Sequence, residues 1–392
     1  SLHDALPILG RGSDSLVILT GGTFANNSAT SNGGAVYNAG TLYISGTNFL
    51  ANTSLDKGGA IYNRNTNNQG NNQGLYINDS NFSYNSANHG GAVKSASMSY
   101  ISGSNFAYNS AVYGGGAFDN TLNGTKNYAN YFVNDVFIGN STQDYDSENR
   151  WGSGGGAMNL GHDTYVYIRD SKFLYNSAIG YGGAIFTIND ASGVLDIANT
   201  EFSNNSTQKE GGAIYTRRYT NIANSNFYNN SANERGGAIT ERSGSIARSY
   251  ISGSNFYGNT AGTSGGAIYT ERSFAIDNGI FTGNQAATQG GAIDSVSGNN
   301  NFVDNSRFTQ NTAGTWGGAI SFVYGNNYVS GSNFAYNTAA NYGGAIFNNT
   351  DNNTTLYLSS SNFENNTAAF GGALFNRGRA YIAGSNMFYN SA

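Results

Sequence analysis

Gly33-Gly34-Ala35-Val36-Tyr37-Asn38 decides how the chain reads, because Gly-Gly-Ala followed by an apolar residue returns along almost all of its length. The triplets begin at residues 33, 58, 90, 115, 155, 182, 211, 236, 265, 290, 317, 343 and 371, and most steps between them lie between 25 and 29 residues. A repeat of that period is one short supersecondary unit, and units of that size bury their apolar sides by stacking into a solenoid. Between successive triplets stands a second landmark, Phe-x-x-Asn, first as Phe24-Ala25-Asn26-Asn27, with Met387 replacing Phe in the last copy. From the landmark Asn to the next triplet the step is almost always six residues, as from Asn52 to Gly58 and from Asn311 to Gly317, while the step from triplet to Phe runs from 16 to 24. Insertions therefore concentrate on one side of each unit, where surface loops absorb them.

Five residues before each landmark Phe lies a position that is apolar in every copy, running from Leu19, Ile44, Ile77, Ile101, Phe132 and Ile168 to Val329, Leu358 and Ile382. Strand side chains alternate between faces, so the neighbour six before Phe points outward. There the sequence places Tyr43, Tyr76, Tyr100, Tyr131, Tyr167, Tyr250, Tyr328, Tyr357 and Tyr381. Strands around Leu42–Ile44, Thr47–Phe49 and Ala35–Tyr37 give three short strands per coil. The expected fold is all-β: a single-stranded right-handed parallel β-helix of about 13 coils, its hand assigned from the general chirality of parallel crossovers. Stacked at the inter-strand spacing, such coils make a rod roughly 60 Å long. A propeller blade needs a longer unit of about 40 residues or more, and tight hairpins need paired turn signals that are missing.

In this frame the glycines thin a corner, where a larger residue is expected to clash with the coils on both sides. The landmark Asn is expected to take a left-handed corner and to offer its amide to the next coil. Phe118 and Met158 replace the usual Ile, Val or Leu after the triplet in the two coils around the longest insertion, which reads as a widened core.

Fifty-five Gly and a single Pro among 392 residues, with 10% charged, leave no helical periodicity of Ala, Leu, Glu and Lys. The net charge of -5 comes without a basic run, so nucleic acid is not an expected partner. No Cys is present, which rules out a disulfide framework or thiolate metal site and leaves the compartment open. No apolar run is long enough for a membrane helix, so this segment is not expected to insert into a membrane. Ser1-Leu2-His3-Asp4-Ala5-Leu6-Pro7-Ile8 reads as one frame of a sequencing-library adapter, so residues 1–8 are set aside as a non-native leader. Residues 9–392 are taken as one repeat domain, expected to be cut at both ends because the last residues stop in mid-repeat without a polar cap.

Interleaved Gly-Gly-Ala-[Ile/Leu/Val], in eleven of thirteen copies, and Phe-x-x-Asn resemble the passenger repeats of chlamydial polymorphic outer-membrane proteins and similar autotransporter adhesins, from about Val17 onward. The lack of Cys departs from the chlamydial members. The resemblance implies a β-helical passenger displayed on a Gram-negative cell surface through a membrane barrel that this sequence does not contain, acting in adhesion without catalysis. Its partner would be a receptor or glycan of a host or neighbouring cell. Two other readings stay open: a β-helix polysaccharide lyase or hydrolase, and a purely structural surface-layer or matrix fibre.

Catalysis needs positioned acids, bases or nucleophiles, and here the acids are scattered, so no catalytic residue and no cofactor is expected. Asp144, Asp146 and Glu148 form an acidic triplet in the longest insertion, but a calcium site needs six to eight oxygens and no such pattern surrounds them. His162 with Asp163 reads as turn polarity, and His89 as a corner residue. Two features are better candidates for ligand contact. Arg217, Arg242 and Arg272 follow their triplets by six or seven residues, so they are expected to line up on one loop face, either paired with Glu210, Glu234, Glu241 and Glu271 or free for an acidic glycan. The outward row of Tyr43, Tyr76, Tyr100, Tyr131 and Tyr167 suits cross-strand packing, sugar contact or association between two rods.

Overall fold

The computed structural model describes residues 8–12, 14–64, 74–120, 128–143, 153–161, 164–187, 193–243, 248–296, 298, 300–349 and 355–392. Through them the chain is a parallel β-solenoid of about 12 turns with no helix. The contacts divide it into two compact units, Ser1–Asp196 and Ile197–Ala392.

One coil of the first unit illustrates the plan. Val36–Asn38 follows the glycines, Thr41–Ser45 carries the outward tyrosine, Asn48–Leu50 carries the landmark Phe, and Thr53–Ser54 closes the turn. Each strand pairs in parallel with its counterpart in the next coil, as Val36↔Ile61, Tyr37↔Tyr62 and Asn38↔Asn63 do. Four sheets result, which may be named by these residues the glycine, tyrosine, phenylalanine and closing sheets. The fourth is an addition to the three strands expected, and it is only two residues wide in most coils. Its small inward residues, such as Ala111 and Ala232, left no apolar run to read. Ile8 pairs with Val36 at the start of the glycine sheet although it was set aside with the leader; Ser1–Pro7 lie outside the described residues.

The interior is built from three columns. The apolar column is buried from Ile44 through Leu358, and the residue after every triplet but the last is buried beside it, as with Val36, Ile61 and Ile185. The landmark phenylalanines stack face to face: in the first unit Phe82 and Phe106 lie 4.7 Å apart at 3°, and in the second Phe256 and Phe281 lie 4.7 Å apart at 0°. That spacing equals the distance between neighbouring strands, so ring stacking and backbone pairing repeat together.

The third column is the landmark Asn. Asn85 accepts two bonds at Oδ1, from the backbone N–H of Asn52 at 2.9 Å and from its Nδ2 at 2.9 Å. It donates two from Nδ2, to the carbonyl of Phe49 at 3.0 Å and to Oδ1 of Asn109 at 2.9 Å. The same four bonds recur at Asn109, Asn230, Asn259 and Asn311. All these amides are fully buried, so every lone pair and N–H they bring inside is satisfied. The left-handed corner expected at this Asn lies one residue earlier, at Asn26, Ala51, Tyr84, Tyr108 and Asn229, all with φ near 55°. There the side chain points to solvent, which leaves the landmark Asn free to face inward.

The glycines act differently from one another. Gly33 has φ of 66°, and a Cβ there would stand 2.3 Å from the carbonyl oxygen of Val36, at the start of the strand that follows it. A Cβ on Gly34 would stand 2.2 Å from the carbonyl of Gly59 in the following coil. In place of a clash with the coils on both sides, the nearest atoms to a Cβ lie in its own coil at the first glycine and in the following coil at the second.

A fourth repeated position, between the tyrosine and phenylalanine sheets, is Ser or Thr in most coils. Ser80 donates from Oγ to the carbonyl of Asn78 at 2.8 Å and accepts from the backbone N–H of Thr47 at 3.2 Å. Asp135 occupies this position in one coil, accepting from the backbone N–H groups of Ser104 at 2.8 Å and Val133 at 3.1 Å. Burial pushes its carboxyl up to about 7, against those two donors, which pull it down.

Two outcomes follow from these columns. Asn109→Asp removes the donors to Phe82 and Asn140 and buries a charge, and is expected to cost about 3 kcal/mol or more in denaturant unfolding; Asn81→Asp on the exposed face should stay within about 0.5 kcal/mol. Equal losses at the two sites would contradict the ladder's role. For Asp135, the folded chain holds the proton up to about pH 7, whereas the unfolded acid releases it near pH ~4. The folded state then binds more protons in that window, so stability falls as pH rises through it and levels off above. Asp135→Ser should flatten the slope of melting temperature against pH; an unchanged slope would refute this origin.

Candidate interaction surface

The tyrosine row points outward, with Tyr43, Tyr100 and Tyr131 exposed and Tyr76 and Tyr167 half-buried. The tyrosine sheet sets them in register, Tyr43↔Tyr76↔Tyr100↔Tyr131↔Tyr167. Register does not make the row uniform. Tyr43 and Tyr76 stack at 4.6 Å and 10°, and Tyr131 and Tyr167 at 5.0 Å and 11°, whereas Tyr100 and Tyr131 are tilted by 39° at 6.1 Å. A stacked pair covers its own faces and presents ring edges and hydroxyls. Tyr100 stands between the two stacked pairs and is tilted out of their stacking. Gly74 makes room for its neighbour, since a Cβ there would stand 2.8 Å from the ring of Tyr76.

A second exposed row escaped the sequence reading. Tyr84, Tyr108 and Tyr175, each just before its landmark Asn, occupy the left-handed corners and stand more than half exposed. Tyr84 and Tyr108 stack at 5.4 Å. The signal lies in the sequence as a recurrent Tyr-Asn at the end of Phe-x-x-Asn, where residue type alone points to the Asn as the corner. Between the two rows runs an outward Asn column, in which Asn81 donates from Nδ2 to Oδ1 of Asn48 at 2.9 Å.

The expected row of three arginines does not form. Register in the glycine sheet aligns Thr216↔Glu241↔Thr270, so the next residues in line are Arg217, Arg242 and Glu271. Arg272 falls one position further along, and a single step turns a strand residue to the other face. Its side chain is buried: Nε donates to the carbonyl of Arg242 at 2.8 Å, Nη1 to that of Arg218 at 2.6 Å, and Nη2 to that of Arg217. Burial lowers its pKa, partly offset by Glu241, whose own carboxyl is raised by burial against the pull of Arg272.

Arg242 remains near the surface but is engaged. It donates from Nε to Glu210 at 2.9 Å, from Nη2 to the same carboxylate and from Nη1 to Glu271. Despite partial burial, which works the other way, these carboxylates raise its pKa. Arg235 and Arg242 lie 5.0 and 5.2 Å from the ring of Tyr269, whose hydroxyl burial pushes up to about 12. Arg217 is half-buried and donates from Nε to the hydroxyl of Tyr215 at 3.3 Å. The arrangement is a set of ion pairs between coils.

The acidic triplet Asp144, Asp146 and Glu148 and the pair His162–Asp163 lie outside the described residues. Among the described residues no three His, Cys, Asp or Glu side chains are grouped as metal ligands, and no helix is long and apolar enough to cross a membrane.

The Chlamydia polymorphic membrane protein (Chlamydia_PMP) repeat matches the chain six times, at residues 21–39, 46–64, 199–217, 253–271, 278–296 and 305–323. Each match spans a Phe-x-x-Asn corner and the Gly-Gly-Ala strand after it, the two elements that carry the amide ladder and the glycine sheet. The solenoid and these repeats fit an autotransporter passenger, and the repeat's family implies association with a surface or outer membrane. No curated protein and no solved structure matches the chain.

Arg272→Ala leaves the carbonyls of Arg217, Arg218 and Arg242 and the buried carboxyl of Glu241 without their cation and is expected to destabilise the chain by about 3 kcal/mol or more, while Arg242→Ala, nearer to water, should cost clearly less. Thermal or denaturant melts of the two variants decide it, and the reverse order would be incompatible with the burial of Arg272.

Proposed function

We propose that the chain is a non-enzymatic, surface-displayed passenger that adheres to a receptor or glycan on another cell, and that the exposed tyrosine rows of Ser1–Asp196 form its contact surface. The observation that carries this reading is the outward row from Tyr43 to Tyr167 in a chain matching six polymorphic membrane protein repeats. Interior positions are held to a few residue types by stacking, so a ligand can be recognised only by what stands outside. Phenol rings offer apolar edges and faces together with a hydroxyl, a combination suited to sugars and to protein surfaces. The outer positions of the strands from Tyr43 to Tyr131, such as Thr41, Ser45, Asn78 and Ser102, are uncharged, which favours a largely neutral partner, while Arg169 stands 5.8 Å from the ring of Tyr167 at the end of the row. Of the arginines named earlier, Arg272 is withdrawn from contact by burial and Arg242 by its carboxylates.

Binding of purified protein to cultured cells and to an array of neutral glycans tests the proposal. Tyr43→Ser, Tyr100→Ser and Tyr131→Ser combined should weaken binding tenfold or more, at roughly 0.5–1.5 kcal/mol for each ring, without lowering the melting temperature much. Full binding by that triple variant would refute the tyrosine surface. Measurable polysaccharide cleavage, abolished by one Asp substitution, would replace adhesion with the enzyme reading.

A further inference from the structure

One pair of charges in the first unit has no counterpart in the other coils. The position four residues after the start of the triplet is aromatic in many coils, as at Tyr37, Tyr62, Phe186, Tyr215 and Phe347, and in two consecutive coils it is Lys94 and then Asp119. The glycine sheet pairs these strands in register, Val93↔Phe118 and Lys94↔Asp119, so the two side chains leave neighbouring backbones on the same face. Nζ of Lys94 lies 2.8 Å from Oδ1 of Asp119. Both are buried, Lys94 at 4% and Asp119 at 0% exposure. Such a lysine seldom lies in the interior at all, because an ammonium loses its hydration there.

The surroundings make the pair a built site. The residue before the triplet is Gly114 in this coil, and a Cβ there would stand 2.3 Å from Nδ2 of Asn159 and 3.2 Å from Oδ2 of Asp119. The space that another side chain would fill is thus given to the carboxyl and its neighbours. His89, paired with Gly114 across the closing sheet, sets Nδ1 3.7 Å from Oδ2 while its ring stays partly exposed and lies 5.6 Å from that of Tyr113. Lys57 is bridged to the same position from the preceding coil, and its Nζ is held by Asp56 at 2.7 Å.

We propose that Lys94 and Asp119 condense into an intramolecular isopeptide bond, the folded chain covalently tying two of its own coils together. In the resting pair the carboxyl is ionised: burial alone would raise it, but Lys94 and His89 hold it down at about 2. Burial also lowers the amine, against the pull of Asp119. One proton passing along the 2.8 Å hydrogen bond from Nζ to the carboxylate gives a neutral amine beside a neutral acid, the form in which neither group carries a desolvated charge. The Nζ lone pair then attacks Cγ and the N–C bond forms; Oδ1 passes the proton it received to Oδ2 as it becomes the amide carbonyl, and the C–O bond to Oδ2 breaks. Of the three ammonium protons one stays on the amide nitrogen and two leave with the oxygen as water, so no other reagent is consumed. His89, next to Oδ2, is placed to hand a proton to the departing oxygen and to recover it from the nitrogen. In a chain without cysteine this amide supplies a covalent tie between residues 25 apart in sequence.

Mass spectrometry of the purified, fully denatured protein decides the matter without any variant. The expected mass is lower than that of the sequence by one water molecule. Trypsin should fail to cut after Lys94, and residues 65–126, which carry both Lys94 and Asp119 and no other Lys or Arg before Lys126, should elute as one looped peptide a water lighter than its sequence. Lys94→Met and Asp119→Ala should each restore the full mass expected for the substituted sequence, and His89→Gln should lower at least tenfold the rate at which newly made chain loses water. The full mass in the unsubstituted protein, with cleavage after Lys94, would overturn the proposal, and an unchanged rate in His89→Gln would overturn the role given to the imidazole.

Discussion

Each buried landmark asparagine takes two hydrogen bonds at its oxygen and gives two from its nitrogen, one of them to the next asparagine and one to a phenylalanine carbonyl of the coil before. Few side chains can meet this demand. Asp lacks the donors, Gln carries the amide one carbon further from the backbone, and Ser cannot make four bonds. The amide repeats only if successive coils arrive at one strand spacing, and the phenylalanine stack three residues earlier in each coil imposes the same 4.7–4.9 Å. Coil height is therefore set twice, by a polar column and by an aromatic one. The second glycine of the triplet, as at Gly34, Gly91, Gly237 and Gly318, meets that height by bringing two backbones closer than any Cβ allows.

Charges inside this frame are departures, and each is handled locally. Asp135 takes a place meant for Ser and accepts from two backbone N–H groups. Arg272 caps three carbonyls with one guanidinium, using the fork of donors that Lys does not have. Lys94 and Asp119 neutralise each other. Because stacking restricts the inner residues to a few types, variation in charge and in aromatic content accumulates outside, and recognition is drawn there with it.

Much of this was legible in the residues. The apolar column, the outward tyrosines and the spacing of Phe-x-x-Asn from Gly-Gly-Ala depend only on strand alternation and coil length, which a periodic sequence records directly. The misplaced features all hinge on one residue of register. Arg272 was aligned with Arg217 and Arg242 by counting from the triplet, but Glu271 holds that place and Arg272 turns inward. The left-handed corner was given to the landmark Asn, yet the strain falls on the residue before it, where Tyr84 and Tyr108 accept a conformation that short polar residues or Gly usually take. The closing sheet, two residues wide with Ala and Ser or Thr, carries too little apolar content to be seen as a strand. Lys94 and Asp119 were visible as charges but not as partners, because only the parallel register brings residues 25 apart side by side.

The account rests on buried amides that are bonded on every side, and their protons report that state directly. Hydrogen exchange of the asparagine side-chain N–H₂ groups, followed by NMR, should find Asn85, Asn109, Asn259 and Asn311 exchanging as slowly as the strand backbone, while Asn81 on the outer face exchanges within the dead time. Rapid exchange at the buried positions would mean that the ladder does not hold the coils, and the account would fail with it.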